Sequence, residues 1–228
     1  MKMNYKGILL DLDNTLYNYD AAHQYALDEV LTRFSVRYGL TSNDAYKLYD
    51  QSKLMNHRQL TLTAASHSRL FYFQKMLELI GAFDIAECLQ VDDQYWHFFL
   101  STIKPEPHAM EMLSEIQVPK CVVTDFTAEP QFKKLMRLEM DPWIDHLVTS
   151  EEAGVEKPHP FIYMLALNKL GMKPNEVIMI GDSYEKDCLG ASALGIDSIL
   201  YKGDASKQDL TKGITVLSNF HDIIHWLE

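Results

Sequence analysis

Asp11 and Asp13 in DLDNTLY, Thr124–Asp125, Lys157 in GVEKPHP, and Asp182–Ser183 with Asp187 in GDSYEKD are the side chains whose types and spacing fit together as chemistry. Carboxylates at alternate strand positions share a face, and past the strand end a turn can aim both at one centre. Asp11, Asp13 and Asp182 at one centre would resist ionising together unless a cation sat among them. A hard divalent ion resolves this, and Mg²⁺ takes octahedral oxygen ligands from one or two carboxylates, water and substrate phosphate. Lys157 would set a compact positive charge on the far side of a bound anion, and Thr124 a hydroxyl with a nearby N–H. A nucleophilic carboxylate, a proton donor, a cation and a lysine clamp are the parts of phosphoryl transfer. Singly, each residue has an ordinary explanation: an Asp at a strand end caps or turns, Lys157 is a solvated lysine, and Asp187 favours a helix N-terminus. Their conjunction at one edge of a single expected sheet outweighs those readings.

That sheet is read from short continuous apolar runs, which fit strands buried on both faces. They are 7–11 (GILLD), 118–124, 144–149, 177–181 and 196–200, with a further short strand at 214–217. Helical patterns separate them. Ala109, Met112, Leu113 and Ile116 share one face, Phe132, Leu135 and Met136 another, and Ile162, Leu165 and Ala166 a third, ahead of Gly171. Residues 187–194 read as a short helix ended by Gly195, and the chain finishes in a further helix. Strand–helix alternation of this kind means βαβ units and a parallel sheet, so the fold class is α/β. Ligand sites in such sheets lie beyond the carboxyl ends of the strands, where the polar residues above fall. One helical block interrupts the alternation after the first strand. Ala22, Ala26, Val30 and Phe34 climb one helix, Thr41 or Ser42 caps the next, Leu70, Phe73, Leu77 and Ile80 mark a third, and aromatic-rich 91–101 forms a fourth.

Composition narrows the function. Of 228 residues, 21 are basic and 32 acidic, a net charge of −11, with no Lys/Arg run. A nucleic-acid polymer is therefore not an expected partner, although a local pocket can still take a small anion. Asp11 and Asp13 break the N-terminal apolar run, and no stretch approaches a membrane span. Cys88, Cys121 and Cys188 are widely spaced and odd in number, which suits neither a disulfide scaffold nor a zinc site and points to a reducing cytoplasm. His108, His146 and His159 lack metal-ligand spacing, so zinc chemistry is not expected.

DLDNTLY at 11–17, TD at 124–125, KPHP at 157–160 and GDSYEKD at 181–187 resemble, in order, the four motifs of the haloacid dehalogenase-like hydrolase superfamily. The resemblance implies a Rossmann-like core, a three-layer α/β/α arrangement formed by 1–17 and 101–228, with an inserted four-helix-type cap at 18–100. It implies that Asp11 is the nucleophile forming an aspartyl-phosphate and a Mg²⁺ ligand. Asp13 would be the general acid/base, with its backbone carbonyl on the metal. Thr124 and Lys157 would hold the phosphoryl group, and Asp182 would ligate Mg²⁺ directly. Asp187 would act on the metal through water or on Lys157, and Ser183 would help locally.

An Asp at position 13 favours phosphate-ester hydrolysis, because the haloacid dehalogenases lack it. Thr15, where hexose-phosphate mutases often carry a β-branched apolar residue, makes a mutase the lesser alternative, beside other phosphotransferases and a non-catalytic binding or regulatory domain of the same fold. The second motif departs from the family: Asp125 stands for the common Asn, and bulky Phe126 for a small residue. Asp125 is expected either to read a substrate hydroxyl or amine or to face outward. Thr15, Tyr17 and Asp125 are thus possible substrate contacts. The expected substrate is a small phosphorylated metabolite, a nucleoside monophosphate or a sugar phosphate, handled by a monomer or homodimer. The aromatic residues of the helical block, among them Tyr72, Phe73, Tyr95 and Phe99, read mostly as its core.

Overall fold

The computed structural model describes residues 5–228, which divide into two compact units: the described residues up to Asn18 together with Lys104–Glu228, and Tyr19–Ile103. The first unit is built on six parallel strands: β1 (Gly7–Leu10), β2 (Lys120–Thr124), β3 (His146–Thr149), β4 (Val177–Gly181), β5 (Asp197–Tyr201) and β6 (Ile214–Leu217). Their order is β3-β2-β1-β4-β5-β6, so the direction of winding reverses between β1 and β4. Leu9 pairs with Cys121 on one side and Met179 on the other. A doubly wound sheet of this order carries its ligand crevice at the reversal, beyond the strand ends.

The inner strands read as unbroken apolar runs because both faces are covered. Leu9, Cys121, Val123 and Met179 pack with Ile162, Tyr163 and Ala166, while Ile8, Leu10, Val122, Ile178 and Ile180 are equally buried on the opposite face. The second unit comprises four helices, α1 (Tyr19–Tyr38), α2 (Ser42–Gln59), α3 (Arg69–Leu79) and α4 (Ile85–Thr102). The Thr41 hydroxyl accepts the Asp44 N–H to start α2, and Asp84 accepts the Glu87 N–H to start α4. Phe34, Tyr49, Tyr72, Phe73, Tyr95 and Phe99 are buried in this unit, and Arg69 lies among them with its guanidinium over the rings of Tyr72 and Tyr95.

In the first unit the helices are α5 (Ala109–Glu115), α6 (Ala128–Arg137), α7 (Ser150–Ala153), α8 (Pro160–Leu170), α9 (Gly190–Ser192) and α10 (Phe220–Leu227). Two differ from the sequence reading. The segment expected as one short helix at 187–194 is a π-helical turn, Tyr184–Leu189, running into α9. The buried face of α6 is not Phe132, Leu135 and Met136. Phe132 is 57% and Met136 67% exposed, whereas Gln131 and Lys134 are fully buried beside Leu135. Apolar periodicity misassigns this helix because its inward face meets charge rather than hydrocarbon. No helix among the described residues is long and apolar enough to cross a membrane.

Candidate active site

Asp11 follows directly on β1, and its N–H still donates to the Ile180 carbonyl at 2.9 Å, so the chain stays zipped to β4 one residue past the strand. Asn14, at φ 65°, then turns the backbone, and the Leu16 N–H closes onto the Leu12 carbonyl at 3.0 Å; Asn tolerates this left-handed conformation better than most residues. The turn brings Thr15 back. Its hydroxyl donates to Asp11 Oδ2 at 2.9 Å and accepts the Asp182 N–H at 3.1 Å, stitching the ends of β1 and β4 together.

Lys157 completes this centre. Its Nζ lies 2.6 Å from Asp11 Oδ1 and 2.6 Å from Asp187 Oδ1, and all three side chains are buried. Asp187 Oδ2 accepts the Ser183 N–H at 3.0 Å, and the Ser183 hydroxyl accepts the Lys186 N–H. Asp187 comes this close because position 181 has no side chain: a Cβ there would lie 2.3 Å from Asp187 Cγ. Burial pushes the Asp11 carboxyl well above its ordinary range, against the pull of Lys157. Burial, and then the Asp187 charge, push Asp182 up to about 6. Burial works to lower the Lys157 ammonium, but Asp11 and Asp187 outweigh it and hold it well above its usual range.

Oxygens of Asp11, Asp182 and Asp187 lie within 4.8 Å of one another. With Asp11 and Asp182 held up by burial and by neighbouring acids, this all-oxygen set is of a kind that fits a hard divalent cation. Asp187 is sealed, with one oxygen on Lys157 and the other on Ser183. Of the three, Asp11 and Asp182 are the carboxylates that could face an ion, while Asp187 braces the lysine.

Asp13 points elsewhere. Lys134 Nζ sits 2.8 and 2.9 Å from its two oxygens, and the Tyr17 hydroxyl donates to Oδ1. Gln131, one turn before Lys134, donates to Thr124 Oγ1 at 2.6 Å and lies 3.3 Å from Asp13 Oδ2. Phe126 explains the bulky residue in the second motif: its ring lies 4.9 Å from Lys134 Nζ. It sits at φ 129°, a conformation rare for residues other than Gly, held by Ser150, whose hydroxyl accepts its N–H at 2.8 Å and bonds its carbonyl at 3.1 Å.

The three possible substrate contacts all have protein partners. Thr15 and Tyr17 are fully buried, with their hydroxyls on Asp11 and Asp13. Asp125 takes neither expected arrangement. Oδ1 accepts the Lys157 N–H at 2.8 Å and Oδ2 meets Lys186 Nζ at 2.7 Å, so its charge is paired and it fixes the lysine loop. Sequence reasoning passed over Lys134 and Gln131. Their trace is a helix carrying Gln and Lys at i, i+3 on one face and Phe132 and Met136 on another.

A family model described as haloacid dehalogenase-like hydrolase matches residues 5–195. A ribulose-1,5-bisphosphate 5-phosphatase from Halopiger xanaduensis is 35% identical over 200 residues, covering 86% of this chain and 84% of that protein. A glyceraldehyde 3-phosphate phosphatase from Methanocaldococcus jannaschii is 29% identical over 198 residues, covering 85% and 83%. Among solved structures, the HAD-hydrolase YfnB of Bacillus subtilis, bound to magnesium, has the same fold, with a TM-score of 0.73 at 19% identity over 98% of this chain and 99% of that one.

Proposed function

This chain belongs to the haloacid dehalogenase-like hydrolase family, and we propose that it is a magnesium-dependent phosphomonoester hydrolase acting on a small sugar phosphate. The observation that carries the reading is the meeting of Asp11, Asp182 and Lys157, from two strand ends and a distant loop, in one cluster in which Asp11 and Lys157 are buried and Asp182 half-buried. The sugar-phosphate class is supported by a ribulose-bisphosphate phosphatase and a glyceraldehyde 3-phosphate phosphatase that each align with most of the chain. A nucleoside monophosphate, equally open from sequence, is the lesser reading: two pyrimidine 5'-nucleotidases also align with most of the chain, but at 27% and 25% identity.

Asp11 attacks the phosphorus, and the bond from phosphorus to the ester oxygen breaks. Asp13, 22% exposed at its carboxylate, gives a proton to the departing alcohol. Asp13 then takes a proton from the water that attacks the aspartyl-phosphate, releasing inorganic phosphate and restoring Asp11. Lys157 holds Asp11 in place and sets its charge beside the phosphoryl oxygens. The carboxylates of Asp11 and Asp182 would hold Mg²⁺, which supplies neutralisation of the gathered acids and polarisation of the phosphoryl group. Thr124 lies beside this path, with its hydroxyl fixed by Gln131.

The test is a panel of sugar phosphates and nucleoside monophosphates assayed with and without Mg²⁺ and ranked by kcat/KM. A Mg²⁺-dependent rate, highest on a sugar phosphate and lost in Asp11→Asn, is expected. Equal background rates for native protein and Asp11→Asn on every ester would sink the reading.

A further inference from the structure

Lys134 is a fully buried lysine on a regular helix, outside the four sequence motifs. An ammonium removed from water is costly unless it is paired and its N–H groups are bonded. This one is met by both oxygens of a single acid, Asp13, at 2.8 and 2.9 Å. The Phe126 ring lies 4.9 Å and the Tyr17 ring 5.8 Å from Nζ, closing the lysine in with aromatic faces. The Tyr17 hydroxyl bonds the same carboxylate, and Gln131 ties α6 to the end of β2 through Thr124 and the Asp125 carbonyl at 3.1 Å. Asp13 itself keeps a partly open face. The back of the carboxyl is thus fixed from one helix while its front is left accessible.

We propose that Lys134 is the positioning residue for proton transfer by Asp13, with Tyr17 and Gln131 fixing the frame in which it acts. The proposal rests on the phosphatase reading above. In the first half-reaction a bond forms from Asp11 oxygen to phosphorus, the bond from phosphorus to the ester oxygen breaks, and the Asp13 proton passes to that oxygen. The carboxylate left behind faces the Lys134 ammonium as a charge-assisted pair. In the second, water oxygen bonds to phosphorus, the bond to Asp11 breaks, and the water proton returns to Asp13. Lys134 keeps its protons throughout. Its contribution is to hold both Asp13 oxygens where a proton can leave and return. A misplaced catalytic carboxyl loses rate even when it is chemically intact.

A leaving group that needs no proton separates this role from a merely structural one. For p-nitrophenyl phosphate the departing oxygen is weakly basic, while a primary sugar phosphate expels a strongly basic alkoxide. Because kcat/KM reports steps through formation of the phosphoenzyme, the two esters compare the first half-reaction alone. Lys134→Met is expected to lower kcat/KM for the sugar phosphate on the order of 10²-fold, the usual reach of general-acid assistance. The p-nitrophenyl ester should lose at least about ten times less. Lys134→Arg should recover part of the difference, and in an Asp13→Asn background Lys134→Met should add little. A crystal structure of Lys134→Met, read without any turnover, should show the Asp13 carboxyl displaced. Equal loss on both esters, no loss on either, or an unmoved Asp13 overturns the proposal while leaving the phosphatase reading intact. Native protein inactive on both esters defeats the reading and the proposal together. Should Lys134→Met fail to fold, Tyr17→Phe, which removes only the hydroxyl on Asp13, must show the same ester selectivity in smaller degree, and equal loss on both esters there overturns the proposal.

Discussion

Lys157 and Lys134 are both buried lysines bonded to carboxylates that stand two residues apart in the chain, and they differ in almost everything else. Lys157 lies in a loop pinned by Asp125, and bridges two acids that are more deeply buried than itself or nearly so. Lys134 lies on α6 and holds Asp13, whose side chain stays 22% exposed. The first centre gathers several charges out of water, where burial holds Asp11 and Asp182 high against the pull of Lys157, and it suits a cation and a phosphoryl group. The second sets both oxygens of Asp13 on the Lys134 ammonium and leaves the acid partly exposed, which suits a group that must give and receive a proton. One turn after β1, with Asn14 at its bend, sends consecutive acids to these two environments.

The comparison is broken most severely at Asp11. Asp11→Asn should lower Mg²⁺-dependent turnover on the order of 10⁴-fold or more, as loss of a nucleophile does, measured by phosphate release under saturating substrate. Lys157→Met should cost about 3–5 kcal/mol of stability in urea unfolding, because Asp11 and Asp187 are left buried without their partner. Lys134→Met should cost less, since water can reach Asp13. Equal losses would erase the distinction between the centres. Gly181→Ala should destabilise by about 1–3 kcal/mol, the usual price of overpacking, because its methyl would enter the space of Asp187.

The acid cluster also sets a pH dependence of known sign. With Asp182 held up to about 6, the folded metal-free chain keeps that proton more tightly than the unfolded chain does. The stabilisation is complete below the ordinary carboxyl range and is lost as pH rises through about 6; Asp11 contributes in the same direction. Thermal melts of metal-free protein between pH 5 and 7.5 should fall with pH, and Asp182→Asn should flatten the trend. A melt that rises over that interval in native protein and is unaltered in Asp182→Asn would contradict this. The smallest effect belongs to the outer face of α6: Met136→Lys should change stability by no more than about 0.5 kcal/mol, where an apolar core position would lose several times that.

Much of the first centre was legible in sequence, and little of the second. Apolar runs place β1 to β6 to within a few residues because strands covered on both faces leave no polar alternation to confuse them. Asp11, Asp182 and Lys157 stand at strand ends or in a loop, where a polar residue interrupts a pattern and is noticed. Lys134 interrupts nothing: KK at 133–134 resembles a solvated helix face, and only the burial of its second member distinguishes the two. Phe132 and Met136 misled for the matching reason, since a helix beside a charged site turns its polar side inward. Asp125 could be seen as a departure, but its partners, a backbone N–H 32 residues away and Lys186, could not be read from local spacing.

The most direct measurement is mass analysis of peptides from native protein acid-quenched during turnover of a sugar phosphate with Mg²⁺. The account requires a phosphoryl mass increment on the peptide that contains Asp11, labile to hydroxylamine and absent from Asp11→Asn. Undiminished phosphate release by Asp11→Asn, with no such adduct in the native protein, would contradict it.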